Sequence, residues 1–307
     1  MMSKINNIIK KVIKNPYEAF SYLNAMGLAD NVSDKQFTEM MFRAKMGYPL
    51  NLDNPVTFSE KIQWLKLYNR RPEYTVYADK LKVRDYIKEA IGEEYLIPLI
   101  GAWDSPDEID FDALPEQFVL KCNHNSGTGM FICKDKSRMN KESVVENLKK
   151  GLQENYYKKF REWPYKDIPR KVICEKFIVD SKTNELRDYK FFCFNGKPMI
   201  VDVISERKVG VEDERIDFYD MDGNHLDMKY EEFRNADVQP ELPVNFELMK
   251  QLAEKLAAGK PFVRIDLYEA DSKVYFGEIT FYPSSGFKPF SPDDWDKKMG
   301  SWINLEK

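Results

Sequence analysis

Histidine is almost missing from this chain: His124 and His225 are the only two in 307 residues. That excludes mechanisms built on a His-containing triad or a His-rich metal site. Cysteine is scarce as well, with Cys122, Cys133, Cys174 and Cys193 and no C-x-x-C pair among them. Three of the four lie in apolar, strand-like runs, where cysteine acts as a small hydrophobe. They read as reduced core residues of a cytosolic protein. No run approaches the ~20 apolar residues of a membrane span. The N-terminus lacks the unbroken apolar stretch and small-residue cleavage site of a signal peptide. Excess charge of one sign is also absent, since 47 Lys and Arg against 51 Asp and Glu give −4. This balance supplies no electrostatic reason to expect nucleic acid as a partner. Repeats and low-complexity linkers are lacking.

What is present is ample core material, with 14% aromatic and 32% charged residues. A single core stops growing near about 250–300 residues, so two or three structural units are expected. Residues 4–14 read as an amphipathic helix, with Ile5, Ile8, Ile9, Val12 and Ile13 on one stripe and Lys4, Lys10, Lys11 and Lys14 around it. Packing on its own protein is the favoured reading. The alternative is peripheral contact with an anionic membrane at the inner face of the cell membrane. Further helices are predicted from Asn15-Pro16 to Gly27, from a Ser33/Gln36 capping box to Gly47, from a Thr57/Glu60 box over Phe58–Tyr68, and over Ala78–Ile91. On the last, Lys80, Arg84 and Lys88 form a basic row at i, i+4. Strands are predicted at Leu96–Ile100, Gln117–Cys122, Met130–Cys133, Lys171–Ile178, Asp188–Phe194, Pro198–Ser205, Phe262–Tyr268 and Val274–Phe281. Helices are predicted after Asn140 and over Phe246–Ala258. Asn195-Gly196 and Asp222-Gly223 mark hairpin turns. Helices mixed with hairpin-linked strands indicate α+β.

The last hairpin carries the most chemistry. Alternation puts Arg264, Asp266 and Tyr268 on one face, and Glu278 and Thr280 share a face. A turn centred on Ser272 sets Asp266 opposite Glu278 and Arg264 opposite Thr280. Facing carboxylates repel, so either a shared magnesium ion or a wet face neutralised by Arg264 is required. The loop Lys121 to Gly129 carries a lysine into small residues, where Gly127 and Gly129 allow backbone amides to form an anion nest; it does not match the P-loop pattern. Taken alone it reads first as an ordinary Gly-rich hairpin loop. Glu175-Lys176-Phe177-Ile178 places a charged pair at a strand end, either a salt-bridged edge or a hinge against a nucleobase. Asp79-Lys80 and Arg187-Asp188-Tyr189-Lys190 say little by themselves.

In this order the motifs resemble the ATP-grasp pattern. The runs FSEKIQWLKLYNRRPEYTVYADKLKVRDYI, FVLKCNHNSG, RDYKFFCFNGKP and YFGEITFYPSSGF are similar to the teichuronopeptide-biosynthesis (TupA-like) subgroup, found among genes for capsules and other cell-surface polysaccharides. The resemblance runs from about Phe37 to the C-terminus. It implies an ATP-grasp fold, two α+β subdomains clasping ATP, preceded by a helical N-terminal region. The implied divisions are residues 1–56, 57–114, 115–180 as the lid subdomain and 181–307 with the metal site. The implied roles are Lys80 and Lys121 on the ATP phosphates, and Asn125, Ser126, Gly127 and Gly129 as a lid over them. Glu175, Lys176, Phe177 and Ile178 hold adenine, and Asp188 with Lys190 lies near ribose or phosphates. Asp266 and Glu278 hold Mg²⁺, with Thr280 as a further ligand where asparagine is usual in the superfamily. Arg264 steadies an acyl phosphate. The activity implied is an ATP- and Mg²⁺-dependent ligase joining a carboxylate to an amine, with a uronic acid and an amino acid or amino sugar as expected substrates. Phosphoryl transfer of this kind needs positioning and charge neutralisation rather than a covalent nucleophile, which suits a chain so poor in histidine.

Two other classes compete. Asp220-Met221-Asp222 is a D-x-D of the kind that serves a nucleotide-sugar glycosyltransferase, although Asp222-Gly223 is also a favoured turn pair. A nucleotide sensor that has lost turnover is the non-enzyme alternative, disfavoured by the retained Arg264, Asp266, Glu278 and both lysines.

Overall fold

The computed structural model describes residue 13 and residues 15–205 and 214–305. The amphipathic helix expected at residues 4–14 lies outside the described residues except for Ile13. The helical first third follows the capping signals. Helix α1 (Glu18–Ala25) begins beyond Asn15, whose side chain accepts from the Tyr17 amide at 3.1 Å. Helix α2 (Asp34–Met46) starts at Ser33, which accepts from Gln36, and stops at Gly47 in the left-handed conformation. Helix α3 (Phe58–Tyr68) has both arms of its capping box: Glu60 N–H donates to Thr57 Oγ1 at 3.1 Å and Thr57 N–H to Glu60 Oε2 at 3.0 Å.

The expected helix Ala78–Ile91 is instead two pieces, α4 (Glu73–Ala78) and α5 (Val83–Ala90). Asp79 breaks it. Its Oδ1 accepts from the amides of Leu81 at 2.9 Å and Lys82 at 3.3 Å, and from Asn123 Nδ2 at 2.8 Å. A short acidic side chain that captures nearby N–H groups competes with the helical ladder. Lys80 therefore leaves the basic row and sits in the connecting turn.

Two antiparallel sheets follow. In the first, β1 (Leu99–Trp103), β2 (Phe118–Cys122), β3 (Met130–Cys133) and β4 (Val172–Lys176) lie in the order β1-β4-β2-β3. Strand β1 begins three residues later than expected, after a 3₁₀ turn over Glu93–Tyr95. Helix α6 (Lys141–Gln153), capped by Asn140, covers this sheet and buries Val144 and Leu148. Strand β4 stops at Lys176, so Phe177 and Ile178 fall beyond the ladder. A short helix α7 (Tyr156–Phe160) precedes it.

The second sheet has the order β10-β9-β5-β6-β7, from β5 (Arg187–Phe194), β6 (Lys197–Ser205), β7 (Arg215–Asp220), β9 (Phe262–Ala270) and β10 (Lys273–Thr280). The Asp222-Gly223 turn forms, but the return is a single bridge, Tyr219 to His225. The next strand, β8 (Lys229–Tyr230), pairs with β11 (Phe290–Ser291) instead. One face of the five-stranded sheet packs on α8 (Phe246–Ala257), where Phe191 stacks on Phe246 at 5.9 Å between ring centroids. The other face carries an aromatic cluster of Phe58, Phe192, Phe218, Phe262 and Phe290. All four cysteines are buried and unpaired, as expected.

Helix α9 (Asp294–Trp302) closes the chain against the start of α3. Asp296 accepts from Ser59 N–H at 2.8 Å and from its hydroxyl at 3.0 Å. Gly300 lies so close that a Cβ there would meet the Val56 carbonyl oxygen at 2.2 Å and the Phe58 nitrogen at 2.7 Å. Both neighbours are backbone, which cannot swing aside. Gly300→Ala is expected to destabilise the protein by about 2–3 kcal/mol, a cost in the range for overpacking. Urea titration measures it, and an unchanged midpoint means that α9 shifts freely.

Candidate active site between the two sheets

The register of the second sheet lines up a row of charge. Glu278 on β10 faces Asp266 on β9, Asp266 faces Lys190 on β5, and Lys190 faces Asp202 on β6. The next row is Thr280, Arg264 and Phe192. The register expected from the sequence is therefore present, although it arises differently. The turn has two central residues, Asp271 and Ser272, both at positive φ, and a bulge at Gly277 between Phe276 and Glu278 restores the offset.

Arg264 ties the row together. Its Nε and Nη2 donate to the two oxygens of Asp266, each at 2.7 Å. Nη2 also reaches Glu278 Oε1 and Thr280 Oγ1, both at 3.2 Å, and Thr280 donates to Glu278 Oε1 at 2.9 Å. Lys190 Nζ stands 3.5 Å from Asp266 Oδ2. Bare repulsion between the facing carboxylates, expected from the sequence, is thus corrected: a buried guanidinium lies between them. Burial opposes ionisation of Glu278, but Lys80, Arg264 and Lys190 hold its carboxyl down at about 2. Asp266 is pushed up by burial against the pull of Arg264 and Lys190.

Lys80 comes from the turn between α4 and α5. Its Nζ donates to the Asn125 carbonyl at 2.5 Å, and burial lowers its pKa against the pull of Glu278. Asn125 is buried and donates to the Gly151 carbonyl at 3.2 Å. Gly129 is pinned as well, since a Cβ there would lie 2.7 Å from Cys122 Sγ and 2.8 Å from Gly151 Cα. Of the loop named from the sequence, Ser126 and Gly127 are the exposed part.

Lys121 and Arg84 both engage Glu175. Lys121 Nζ lies 2.6 Å from Oε2, and Arg84 Nη1 lies 3.3 Å from Oε1. The side chain of Glu175 is thereby committed to cations. Phe177 and Ile178 carry the chain out of the sheet, one and two residues past the last pair, Phe118 with Lys176. These residues line a cleft of about 270 Å³ with Val119, Lys121, Met130 and Ile132 on one wall and Arg187, Ile204 and Tyr268 on the other. The cleft lies between the two sheets, apolar along β2 and β3, with lysine at one end. Asp188 is buried on β5, one residue pair along from Lys190, across from Tyr268.

Sequence reading missed Asp202. It is buried, and among the described residues its Oδ1 has no hydrogen-bond partner. Burial pushes its pKa up to about 7, against the pull of Lys190 and Arg264. A lone acid inside the apolar run Pro198–Ser205 was the available signal. The D-x-D reading finds no support. Asp220 accepts from the amides of Asp222 at 3.0 Å and Asn224 at 2.8 Å and from Asn224 Nδ2 at 2.9 Å, so its carboxylate is spent on its own turn.

Glu278, Asp266 and Thr280 are hard oxygen donors and suit Mg²⁺, which typically takes one or two carboxylates together with substrate phosphates. Among the described residues Glu278 Oε2 makes no hydrogen bond, whereas Asp266 is filled by Arg264. The donor chemistry fits, provided Arg264 turns from Asp266 toward the substrate. No group of three or more His, Cys, Asp or Glu suited to a metal occurs among the described residues.

Two outcomes follow for the ligand-free protein. Glu278→Gln is expected to lower stability by about 1 kcal/mol, because a charge-assisted bond to Arg264 is lost; a raised melting temperature would mean that repulsion dominates. Asp202 binds its proton more tightly folded than unfolded, so its contribution is fully present below about pH 4 and is lost as pH rises through about 7. Asp202→Asn is therefore expected to gain on the wild type by up to a few kcal/mol on going from about pH 5 to pH 8. Urea midpoints of both proteins at the two pH values test this, and parallel curves refute it.

With this geometry in view, similarity to known proteins can be placed. Comparison with curated proteins finds no match. Among solved structures the chain is similar to D-alanine–D-alanine ligase from Bacillus anthracis complexed with ATP, at 18% identity and TM-score 0.39, covering 67% of this chain and 54% of that one. It is similar to L-amino acid ligase from Bacillus licheniformis at 12% identity and TM-score 0.46, covering 83% and 56%. D-Ala-D-Ala ligase from Helicobacter pylori matches at 15% identity and TM-score 0.43, covering 80% and 69%. The match thus spans little more than half the length of the first two proteins. Residues 60–304, most of the chain, match the family model described as TupA-like ATPgrasp, and the chain belongs to the TupA-like ATP-grasp family.

Proposed function

We propose that this protein is an ATP- and Mg²⁺-dependent carboxylate–amine ligase that works through an acyl phosphate. The observation that carries this is Arg264, held between Asp266 and Glu278 on a face toward which Lys80 also directs its charge. In this reading adenine enters the cleft at Phe177 and Ile178, where the backbone leaving β4 meets its edge and Lys176 is adjacent. Lys80 and Lys121 exchange their present partners, the Asn125 carbonyl and Glu175, for phosphate oxygens. Asp188 and Lys190 lie along the ribose and phosphates. Asp266, Glu278 and Thr280 would hold the metal. When bound, Mg²⁺ neutralises the charge that builds on the transferring oxygens. The substrate carboxylate attacks the γ-phosphorus, ADP leaves, and the acyl phosphate forms. Arg264 then faces the acyl oxygen and steadies the oxyanion when the amine attacks. The buried setting strengthens each of these contacts.

The finer reading is that the carboxylate is a uronic acid or similar group of a cell-surface polymer and the amine an amino acid or amino sugar. It is supported by resemblance of sequence to a subgroup found among capsule genes. No helix among the described residues is long and apolar enough to cross a membrane. An inner-face location is kept as part of this proposal. The 1–56, 57–114, 115–180 and 181–307 divisions belong to it too, with β1 joining the sheet of the third of them.

A thermal-shift comparison of ATP, ADP and UDP-sugars with magnesium is expected to favour ATP, since stabilisation follows RT ln(1 + [L]/Kd). A UDP-sugar preference would favour the transferase. Products one water lighter than their substrate pairs, found by mass spectrometry, identify the acceptor. Lys121→Ala is expected to weaken ATP binding, and Asp266→Asn or Glu278→Gln to cut ADP release by about 100-fold or more. Turnover like that of the wild type in either carboxylate variant would sink the assignment.

A further inference from the structure

Beside the charge row lies a second polar cluster that ATP chemistry does not use. It forms where the segment after β10 turns back over α3. Ser284 and Ser285 both adopt positive φ, at 48° and 57°. Two successive non-glycine residues in that region cost of order 1–3 kcal/mol each and persist only where their surroundings fix them. Three buried side chains fix Ser285. Gln63 Nε2 donates to its carbonyl at 2.9 Å, Lys66 Nζ donates to the same carbonyl at 3.1 Å, and the Ser285 hydroxyl donates to Glu162 Oε1 at 2.5 Å. Glu162 is buried, and Lys66, the cation that acts on it most strongly, directs its Nζ to the Ser285 carbonyl. Gln63 Oε1 has no hydrogen-bond partner among the described residues. The cluster is thus a buried carboxylate aimed by a strained serine, seven residues of chain beyond Glu278. Ser285 follows Thr280 by five residues, so its hydroxyl ties Glu162 to the chain that leaves the charge row, and the charges of Glu278 and Arg264 act on it.

A ligase of this kind needs one thing that the row does not supply. An acceptor amine arrives as an ammonium ion and must lose a proton before it can attack. Arg264, Lys80, Lys121 and Lys190 are cations, Asp266 and Glu278 are committed to Arg264 or a metal, and Asp202 stands at the far end of the row on β6, with β5 between it and the strand of Arg264. We propose that Glu162, oriented by the Ser285 hydroxyl, binds the acceptor's ammonium and takes its proton. One N–H bond of R–NH₃⁺ breaks and its proton goes to the Glu162 carboxylate. The freed lone pair forms the C–N bond as the C–O bond to phosphate breaks. The phosphate leaves with that electron pair, and the second nitrogen proton goes to it. Burial pushes the carboxyl of Glu162 above its usual range, opposed by Ser285 and Lys66, which brings it toward the proton affinity that a general base needs. The groups facing it are Lys66 from α3, itself lowered to about 7 by burial, together with Arg264, Glu278, Tyr156, Tyr165 and Tyr282. The assignment rests on the ligase reading.

The test separates the two. The full chain with ATP, Mg²⁺ and a panel of uronic and amino acids is given either hydroxylamine, a nucleophile already neutral near neutral pH, or ammonium chloride, which must be deprotonated. Hydroxamate is read by colour and amide by mass. Glu162→Gln is expected to keep hydroxamate formation within about threefold while amide formation falls by about 100-fold, and to lose the acidic limb of the amide pH profile. Ser285→Ala, which keeps the carboxylate but not its orienting hydroxyl, is expected to lose amide formation to a smaller extent with hydroxamate retained. Equal losses with both nucleophiles would make the cluster structural and overturn the proposal, as would unchanged amide formation in Glu162→Gln. Wild-type hydroxamate without any wild-type amide would mean that no proton acceptor is at work and would also overturn it. Absence of hydroxamate in the wild type would count against the ligase reading itself.

Discussion

The fork between Arg264 and Asp266 is the contact on which the site depends. Both groups lie on β9, two residues apart, on one face of a strand flanked on both sides, so both are cut off from bulk water. An isolated charge in such a place would be expensive, and an ion pair breaks even only when every remaining valence is satisfied. That condition organises the neighbours. Lys190 on one flanking strand and Glu278 with Thr280 on the other complete the hydrogen bonds and the charge balance. The same need for a counter-charge draws in Lys80 from outside the sheet. A polar row of this sort specifies register, because sliding any strand by one residue would bury a charge against the aromatic or aliphatic face.

Much of this could be read along the chain because it is local. Capping boxes announced α2 and α3 within four residues, and the β9–β10 hairpin needs only alternation and a short turn to bring Asp266 against Glu278. What escaped was long-range. Asp202 joins the row only through β5, which is separated from it by a hairpin, and its partner Lys190 gives no hint of it. Glu162 meets Ser285 across 123 residues of sequence, through a serine whose backbone conformation no propensity indicates. The break at Asp79 escaped for a third reason. Apolar spacing continues smoothly through Ala78–Ile91, and the side chain that interrupts it is also held by Asn123, from another part of the fold. Local pattern described the elements, and tertiary contact decided where one of them stopped.

The present arrangement also places the site's groups in a mutually satisfied state. Lys80 is held by a carbonyl, Lys121 and Arg84 by Glu175, and Asp266 by Arg264. In the function proposed above, phosphate oxygens or a cation would replace each of these partners with stronger charge. Binding energy spent in separating such pairs yields groups already aimed at the substrate, which is how a preorganised site trades affinity for reactivity. It also keeps a strongly charged cleft from being a cluster of unpaired ions in the empty protein.

The bulge at Gly277 has a consequence for how the hairpin tolerates changes in length. The two-residue turn at Asp271-Ser272 on its own would carry Glu278 out of line with Asp266 by one position. The extra residue at Gly277 cancels that slip, and only glycine fits there, since a Cβ would press on the Asp266 carbonyl oxygen and the Tyr268 ring, each 2.9 Å away. Turn and bulge are therefore two halves of one count. Adding or removing a residue in either alone would turn Glu278 and Thr280 to the opposite side of the sheet, while a matched change in both would leave them in place. Spacing between Asp266 and Glu278 is free to vary in this hairpin only in steps that keep the two carboxylates on the same side.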